Sequence, residues 1–466
     1  MRIPMKTALL PLSLAALLAH TSAARAEEPA GDWGGLLMGQ LHVIVHVKKD
    51  GTQYRATLES PDQGTFVLPA DTVTATPDHL SFAIAKIHGT YDGIWDNAQK
   101  AWVGTWTQGQ AMPLVLKRLD TQQAPPAPQK RPQEEAIAAA PPAYRSTEVE
   151  FDSSAAGVKL AGTFSVPQGG GPFPAVVLIS GSGPNTRDED VFNHKVFLVI
   201  ADALNRDGIA VLRYDKRGIG ASSGDYKTAT TADFLTDAQS AVAYLKTRSE
   251  IDPKHIGVAG HSEGGLIAPA VAVQDKGVSF VVMLAGPGMR GDQILLRQQA
   301  LIAKAMGAPQ DKIEAGGASN RKVFAAVLAA SDITDAKTRV AAVLAMDVSA
   351  GQITAAQAAV GVDQVTSPWM YYFLRYDPVP TLQKVTVPVL AIGGSLDLQV
   401  PAKEDLAAIA AALKNNKDVT TTELPGLNHL LQKATTGAPS EYGQIEETVD
   451  PIALKTLTDW VAKHTK

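Results

Sequence analysis

The fold turns on Gly257-Val258-Ala259-Gly260-His261-Ser262-Glu263-Gly264-Gly265. An apolar, β-prone segment (His255 to Ala259) leads into it, and an amphipathic one (Leu266 to Val273) leads out. Inside it Gly260, Ser262 and Gly264 fill the pattern G-x-S-x-G. A nucleophile on a sharp strand-to-helix turn needs small residues two before and two after it. Larger side chains would collide as the backbone doubles back, and the serine itself is held in a strained conformation. The turn exposes a hydroxyl at the top of a sheet and aims the first N–H groups of the next helix at the same spot. A glycine-rich βα turn without chemistry carries the same glycines, so the strand before and the helix after favour the nucleophile.

Outward from this turn, strands and helices alternate. Thr147 to Phe151 and Val158 to Val166 read as an opening hairpin. Strand Ala175 to Ile179, a helix near Lys195 to Arg206, strand Ile209 to Arg213 and a helix near Ala232 to Thr247 follow. Val278 to Leu284 and Val387 to Ile392 continue the apolar, β-branched strands. This predicts an α/β domain over 147–466, its sheet mostly parallel and covered on both faces. Between about 287 and 376 the β-pattern stops, and Gln293 to Ala305, Arg321 to Ala330 and Ala336 to Leu344 read as helices. The stretch is either a helical cap over the site or a peripheral bundle.

Residues 27–119 read differently. Leu41, Val43, Val45 and Val47 alternate with His42, Ile44 and His46, and turn signals recur at short spacing, which predicts a small all-β barrel or sandwich. Four of the six tryptophans lie here: Trp33, Trp95, Trp102 and Trp106. They suit a barrel interior better than a sugar-binding platform. His42 and His46 would share a strand face about 13 Å apart, too far to grip one ion. The Pro-rich stretch 120–146 reads as an extended linker. Residues 1–26 read as a signal peptide, with Arg2 and Lys6, an apolar run from Ala8 to Ala19, and Ala24-Arg25-Ala26 before the cleavage point. The expectation is export, periplasmic or secreted, with no membrane insertion of the mature chain.

The 466 residues suit two or three domains, and 45% hydrophobic with 19% charged content suits a globular core. A net charge of −5 gives no electrostatic case for nucleic acid or an anionic membrane. The absence of cysteine excludes disulfides, thiolate nucleophiles and cysteine-ligated zinc.

An activated serine needs a base, and the base an orienting carboxylate. Asp397 follows strand Val387 to Ile392, at the end of a strand where α/β sheets build sites; Asp405, inside a helical pattern (Ala402 to Leu413), is the competitor. Beyond Asp397 only His429 and His464 remain. His464 sits at the frayed C-terminus, which leaves His429, in a loop after Val419 to Leu424, as the base. Oxyanion donors are expected from the backbone N–H of Glu263 and, in Ser180-Gly181-Ser182-Gly183-Pro184, from Ser182. The Glu263 side chain either tunes the site or favours the helix N-terminus. Arg187, Asp188 and Glu189 either contact substrate or brace the loop. Asp215 and Arg217, in the charged loop after Arg213, read as structural ties.

Ser180 to Pro184 with Arg187-Asp188-Glu189, then Arg213-Tyr214-Asp215-Lys216-Arg217-Gly218-Ile219-Gly220, then Gly260 to Gly265, together resemble the EstD-type bacterial carboxylesterases. These are α/β-hydrolases grouped with the serine aminopeptidase-like hydrolases, and the resemblance covers about 145–466. It implies an α/β-hydrolase fold with a helical cap, hydrolysis of carboxylic esters and no cofactor, and it supports Ser262, Asp397 and His429 as the triad; the expectation is small or short-acyl esters and no metal. Ser180 departs from the family, which usually has His there. The rival readings are a serine aminopeptidase-like peptidase, a carbohydrate-directed esterase anchored by the tryptophan-bearing domain, and a binding protein on a hydrolase scaffold.

Overall fold

The computed structural model describes residues 28–37, 41–61, 67–87, 89–108, 110–119, 130–140 and 143–465. The expected signal peptide (1–26) and linker residues 120–129 lie outside the described residues.

Nine strands form the N-terminal sheet: β1 (Gly31–Leu37), β2 (Leu41–Asp50), β3 (Gln53–Glu59), β4 (Val67–Pro69), β5 (Thr72–Ala75), β6 (His79–Ile84), β7 (Gly89–Asp96), β8 (Ala101–Gln108) and β9 (Gln110–Arg118). Their order is β4-β3-β2-β1-β9-β8-β7-β6-β5, antiparallel throughout. The edges β4 and β5 are joined through Ala70 and Asp71 alone, a span of about 11 Å at most. The sheet must therefore curl until its edges meet, and Ala70 N donates to Ala56 O at 2.9 Å while Asp71 N donates to Ala83 O at 2.8 Å across the seam. This is a rolled barrel rather than a sandwich. Trp33, Trp102 and Trp106 are buried inside it, and half-buried Trp95 packs edge-on against the first two. The tryptophans thus fill the interior instead of forming a platform. His46 lies between Asp32 (2.7 Å) and Glu59 (3.1 Å), held by carboxylates on neighbouring strands.

The linker expectation fails in part. Pro132–Ala139 form a helix, α1, with Pro132 at its first position, where the missing N–H costs nothing. It docks through its own side chains: Gln133 Oε1 accepts from Thr448 N and Val449 N (2.8 and 3.0 Å), and Glu134 Oε1 from Lys195 N at 2.8 Å. Specific hydrogen bonds outweigh a composition that predicts an extended chain.

The second sheet takes β10 (Tyr144–Asp152), β11 (Lys159–Pro167) and β12 (Phe173–Ile179). After a two-stranded ribbon, β13 (Asp190–Val191) and β14 (His194–Lys195), come α2 (Val196–Arg206), β15 (Ala210–Tyr214), α3 (Thr231–Lys246), β16 (Ile251–His261), α4 (Glu263–Gln274) and β17 (Val278–Leu284). The helical stretch is α5 (Gly291–Ala305), α6 (Gln310–Leu328), α7 (Ile333–Ser349), α8 (Ala355–Val365), α9 (Pro368–Arg375) and α10 (Val379–Leu382). The chain closes with β18 (Val389–Gly394), α11 (Ala402–Ala412), β19 (Val419–Leu424), α12 (Pro439–Tyr442) and α13 (Pro451–Lys463). Strand order is β10-β11-β15-β12-β16-β17-β18-β19, antiparallel in the first two pairings and parallel from β15 onward. Side chains alternate between two cores. Ala175, Val177 and Ile179 face one side with α3, α4 and α11, while Val176 and Leu178 face the other with α2 and α13. This is the α/β-hydrolase architecture: a mostly parallel sheet covered on both faces, preceded by a small all-β domain.

From β12 the chain crosses to β15 on one side and returns to β16 on the other, so the strand order reverses between β12 and β16. Crevices at such a switch point, beyond the carboxyl ends of the strands, are where α/β sheets bind ligands. The loops after Ile179 and His261 open there side by side, in register at Ile179 and Gly260. Among the described residues no helix is long and apolar enough to cross a membrane.

Candidate active site

Ser262 sits between β16 and α4 with φ +52° and ψ −117°, a left-handed conformation that a non-glycine residue keeps only when its surroundings impose it. The surroundings do so. Ser262 N donates to Leu284 O at 2.9 Å and Ser262 O accepts from Gly265 N at 2.8 Å. A Cβ on Gly260 would overlap the Gly264 carbonyl, and one on Gly264 would overlap the Ile179 carbonyl. Both flanking glycines are thus required by backbone-to-backbone contact. The first N–H groups of α4, Glu263 foremost, have no helical acceptor.

The loop after β12 lies against Ser262: a Cβ on Gly181 would come 3.0 Å from Ser262 Cβ. Gly181 N donates to Glu189 Oε1 at 2.5 Å, and Gly181 O accepts from Lys216 Nζ (2.6 Å) and Asn185 Nδ2 (2.8 Å). With Gly181 spoken for on both sides, the next N–H along the loop is that of Ser182. Ser180, buried behind the loop, borders a small internal cavity with Tyr214, Lys216 and Asp237.

Asp397 follows β18 and His429 follows β19, adjacent strands, so both side chains arrive at the same end of the sheet. Asp397 Oδ2 is 2.8 Å from His429 Nδ1, and its Oδ1 accepts from Gln399 N and Val400 N, each at 2.8 Å. Both residues are buried. A carboxylate tied down by two backbone donors holds the imidazole with its proton on Nδ1, which leaves Nε2 as the free base. The His429 ring lies 4.9 Å, centroid to centroid, from that of His261, which adjoins Ser262. Among the described residues the bond to Asp397 is the only hydrogen bond His429's side chain makes, and none joins it to Ser262.

Asp405 is elsewhere. From α11 its Oδ1 accepts from Gly288 N (2.7 Å) and Met289 N (3.2 Å), at the start of the helical stretch, and burial pushes its carboxyl up to about 7. His464 is not frayed: its ring stacks on Trp460 at 3.9 Å and its Nε2 meets Asp418 at 3.2 Å, because α13 carries it down onto the sheet edge.

Arg187, Asp188 and Glu189 brace the loop. Arg187 binds Asp215 and Glu148, Asp188 pairs with Arg213, and Glu189 reaches Gly181 and His261. Asp215 also takes Ala221 N at 3.0 Å, and Arg217 bonds Asp237 at 2.7 Å and Asp233 at 3.0 Å. The Glu263 side chain turns away from the serine into a buried network of Thr231 Oγ1 (2.7 Å), Trp369 Nε1 (2.7 Å) and Lys216 Nζ (3.3 Å). Sequence reasoning missed Trp369, which no motif marks. It also missed Asn428, whose Oδ1 accepts from Leu430 N and Gln432 N (both 3.0 Å) and so shapes the His429 loop. A polar residue beside a candidate base was the available signal.

A family model described as serine aminopeptidase, S33, matches residues 194–434, just over half of the chain. The esterase EstD of Thermotoga maritima is 27% identical over 305 residues, which cover 65% of this chain and 66% of that one, so the match spans just under two thirds of the relative's length. Among solved structures, the α/β hydrolase GrgF from Penicillium sp. sh18 superposes with a TM-score of 0.44 at 18% identity, covering 69% of this chain and 99% of its own. Est1E from Butyrivibrio proteoclasticus, bound to ferulic acid, gives 0.40 at 18% identity over 68% and 96%.

Proposed function

Because the chain belongs to the serine aminopeptidase S33 family, we propose that it is a serine hydrolase that cleaves small carboxylic esters through an acyl-enzyme. The observation that carries the reading is the Asp397–His429 bond of 2.8 Å, beside a serine held left-handed on a strand-to-helix turn. In this reading His429 Nε2 takes the proton of Ser262 Oγ as that oxygen attacks the ester carbonyl. The N–H groups of Ser182 and Glu263 bind the oxyanion, and each such donor contributes on the order of 3 kcal/mol. His429 returns the proton to the departing alcohol. Water then attacks the acyl-serine as His429 takes its proton, and His429 returns that proton to Ser262 Oγ as the acid is released. The ester preference follows the similarity to EstD. Export, expected from residues 1–26, belongs to the same proposal.

The test is hydrolysis of p-nitrophenyl acetate and butyrate by wild type and Ser262→Ala, with a fluorophosphonate label on both. Turnover and labelling in wild type, both lost in the variant, are expected. Labelling without ester turnover moves the substrate towards peptides, and a folded wild type with neither refutes the hydrolase.

A further inference from the structure

Resting on the serine-hydrolase reading, we propose that Glu189 and His261 form a buried carboxylate–imidazolium pair that positions the oxyanion loop and the base loop around Ser262. Neither residue touches the reacting atoms; the pair acts through Gly181 and His429.

The hydrogen-bond partners fix the protons. His261 Nε2 lies 2.9 Å from the His429 carbonyl oxygen, which can only accept, so Nε2 carries a proton. His261 Nδ1 lies 3.0 Å from Glu189 Oε1, the oxygen that already accepts Gly181 N–H at 2.5 Å. In the proposed pair Glu189 is ionised and only accepts, so Nδ1 carries a proton too. Neutral imidazole has one N–H, and two make the ring a cation. Burial alone would push His261 down, and the Glu189 carboxylate more than reverses this, so the ring is held above its ordinary value.

The carboxylate depends on the ring in turn. Glu189 is 1% exposed, and its Oε2 has no hydrogen-bond partner among the described residues. A buried charge so poorly hydrogen-bonded persists only against a counter-ion. Glu189 also sits at φ +47°, a conformation a non-glycine residue keeps when contacts on every side impose it. The loop pays this strain to aim the carboxylate inward.

The pair joins the three parts that acyl transfer needs in one geometry. Through Glu189 it holds the Gly181 N–H, which leaves that of Ser182 as the next one along the loop. Through His261 it adjoins Ser262 directly. Through the His429 carbonyl it fixes the backbone whose imidazole must lie between Asp397 and the serine. The titratable groups around the His261 ring are Glu189, His429 and Asp397, with the Lys216–Glu263 pair beyond Gly181. The two imidazoles stand 4.9 Å apart, so a cationic His429 in the transition state meets a cation already present. Each ring having its own carboxylate lets both charges coexist.

The experiment uses the full chain labelled with ¹⁵N-histidine, with His261→Gln supplying the assignment. Both ring nitrogens of His261 are expected to be protonated at about pH 7, above the ordinary midpoint of a histidine. In Glu189→Gln the ring is expected to be neutral at the same pH, because the charge that raises it is gone. Kinetically, Glu189→Gln and His261→Gln should lose about tenfold to hundredfold in kcat, with KM little changed, as misplaced catalytic groups do. A neutral His261 at pH 7 in wild type overturns the pair, and both variants keeping wild-type kcat overturns the positioning role. If Glu189→Gln does not fold, the wild-type spectrum and His261→Gln still decide. Wild-type turnover and phosphonate labelling judge the hydrolase reading separately, because the spectrum reports the pair even in a protein that hydrolyses nothing.

Discussion

The indole Nε1 of Trp369, in α9, donates to Glu263 Oε1 at 2.7 Å, one residue past Ser262. The helical stretch is thereby pinned to the first turn of α4, and its α5 reaches the other side through Gln298, whose Nε2 donates to Gln399 Oε1 at 3.1 Å, two residues past Asp397. Trp369 also stacks on Phe373 (5.0 Å between centroids) in an apolar cluster with Leu266 and Val400. A conformational change here has a defined bond to break.

Trp369→Phe removes that donor and leaves Glu263 with Thr231 and Lys216. A hydrogen bond to a charged group is worth about 1.5–3 kcal/mol, so a melting temperature lower by several degrees and a raised KM are expected. Glu263→Gln should cost more, about 3–5 kcal/mol, because it leaves the buried Lys216 ammonium without its carboxylate. Thermal melts and Michaelis kinetics on both variants check the ranking. Equal losses would mean that Trp369, not Lys216, dominates the network.

Asp397→Asn and Asp405→Asn separate the two carboxylates that the sequence offers. An amide at 397 can present N–H to His429 Nδ1 and stabilise the wrong tautomer, so kcat should fall by about 10³–10⁴ with KM nearly unchanged. Among the described residues the Asp405 side chain hydrogen-bonds only the N–H groups of Gly288 and Met289, and its amide keeps an acceptor for both, so turnover should stay within a few-fold of wild type. Ester kinetics at one pH suffice, and the opposite ranking would hand the orienting role to Asp405.

Asp405 also makes stability depend on pH. Burial first, then the Asp397 charge, outweigh the two backbone donors and put its folded value at about 7, above the ordinary 3.8. A raised carboxyl binds its proton more tightly when folded. Its contribution is full below the unfolded value and is lost as pH rises through about 7. The loss is on the order of 2–4 kcal/mol. Wild type should therefore lose melting temperature between about pH 4 and 8 relative to Asp405→Asn, whose neutral amide does not titrate. Parallel curves for the two proteins would show that Asp405 is ionised without cost.

Strand periodicity and the order Ser, Asp, His were legible because each is local or one-dimensional. β12 and β18 announce themselves as apolar runs, and a glycine two residues either side of Ser262 needs no partner to be recognised. What the sequence hid depends on distant pairing. The β1–β9 contact that makes a barrel spans most of the first 119 residues. The role of Glu189 depends on His261, 72 positions away. Trp369 and Glu263 lie 106 apart. Helix α1 was hidden for another reason: prolines on either side of 132–139 mask a short segment whose Pro132 is a helix start, and its stability comes from docking.

That docking centres on Arg131, just ahead of α1. Its guanidinium donates to the carbonyls of Phe192 (3.2 Å) and Asn193 (3.0 Å) in the turn between β13 and β14, and to those of Gly443 (3.0 Å) and Ile445 (3.2 Å) after α12. Two loops flanking the site are thus closed by one side chain, and Asn193 in turn donates to Pro61 O of the barrel at 2.8 Å. Arg131→Ala leaves several buried carbonyls without donors and should cost about 2–4 kcal/mol. Lysine restores the charge but not the planar fork, so Arg131→Lys should recover only part of it. The same reasoning places the working boundary of the second domain: a protein begun at residue 130 should melt higher than one begun at 143, although both contain every strand of the α/β sheet. Equal melting temperatures for the two would show that α1 and Arg131 are passengers.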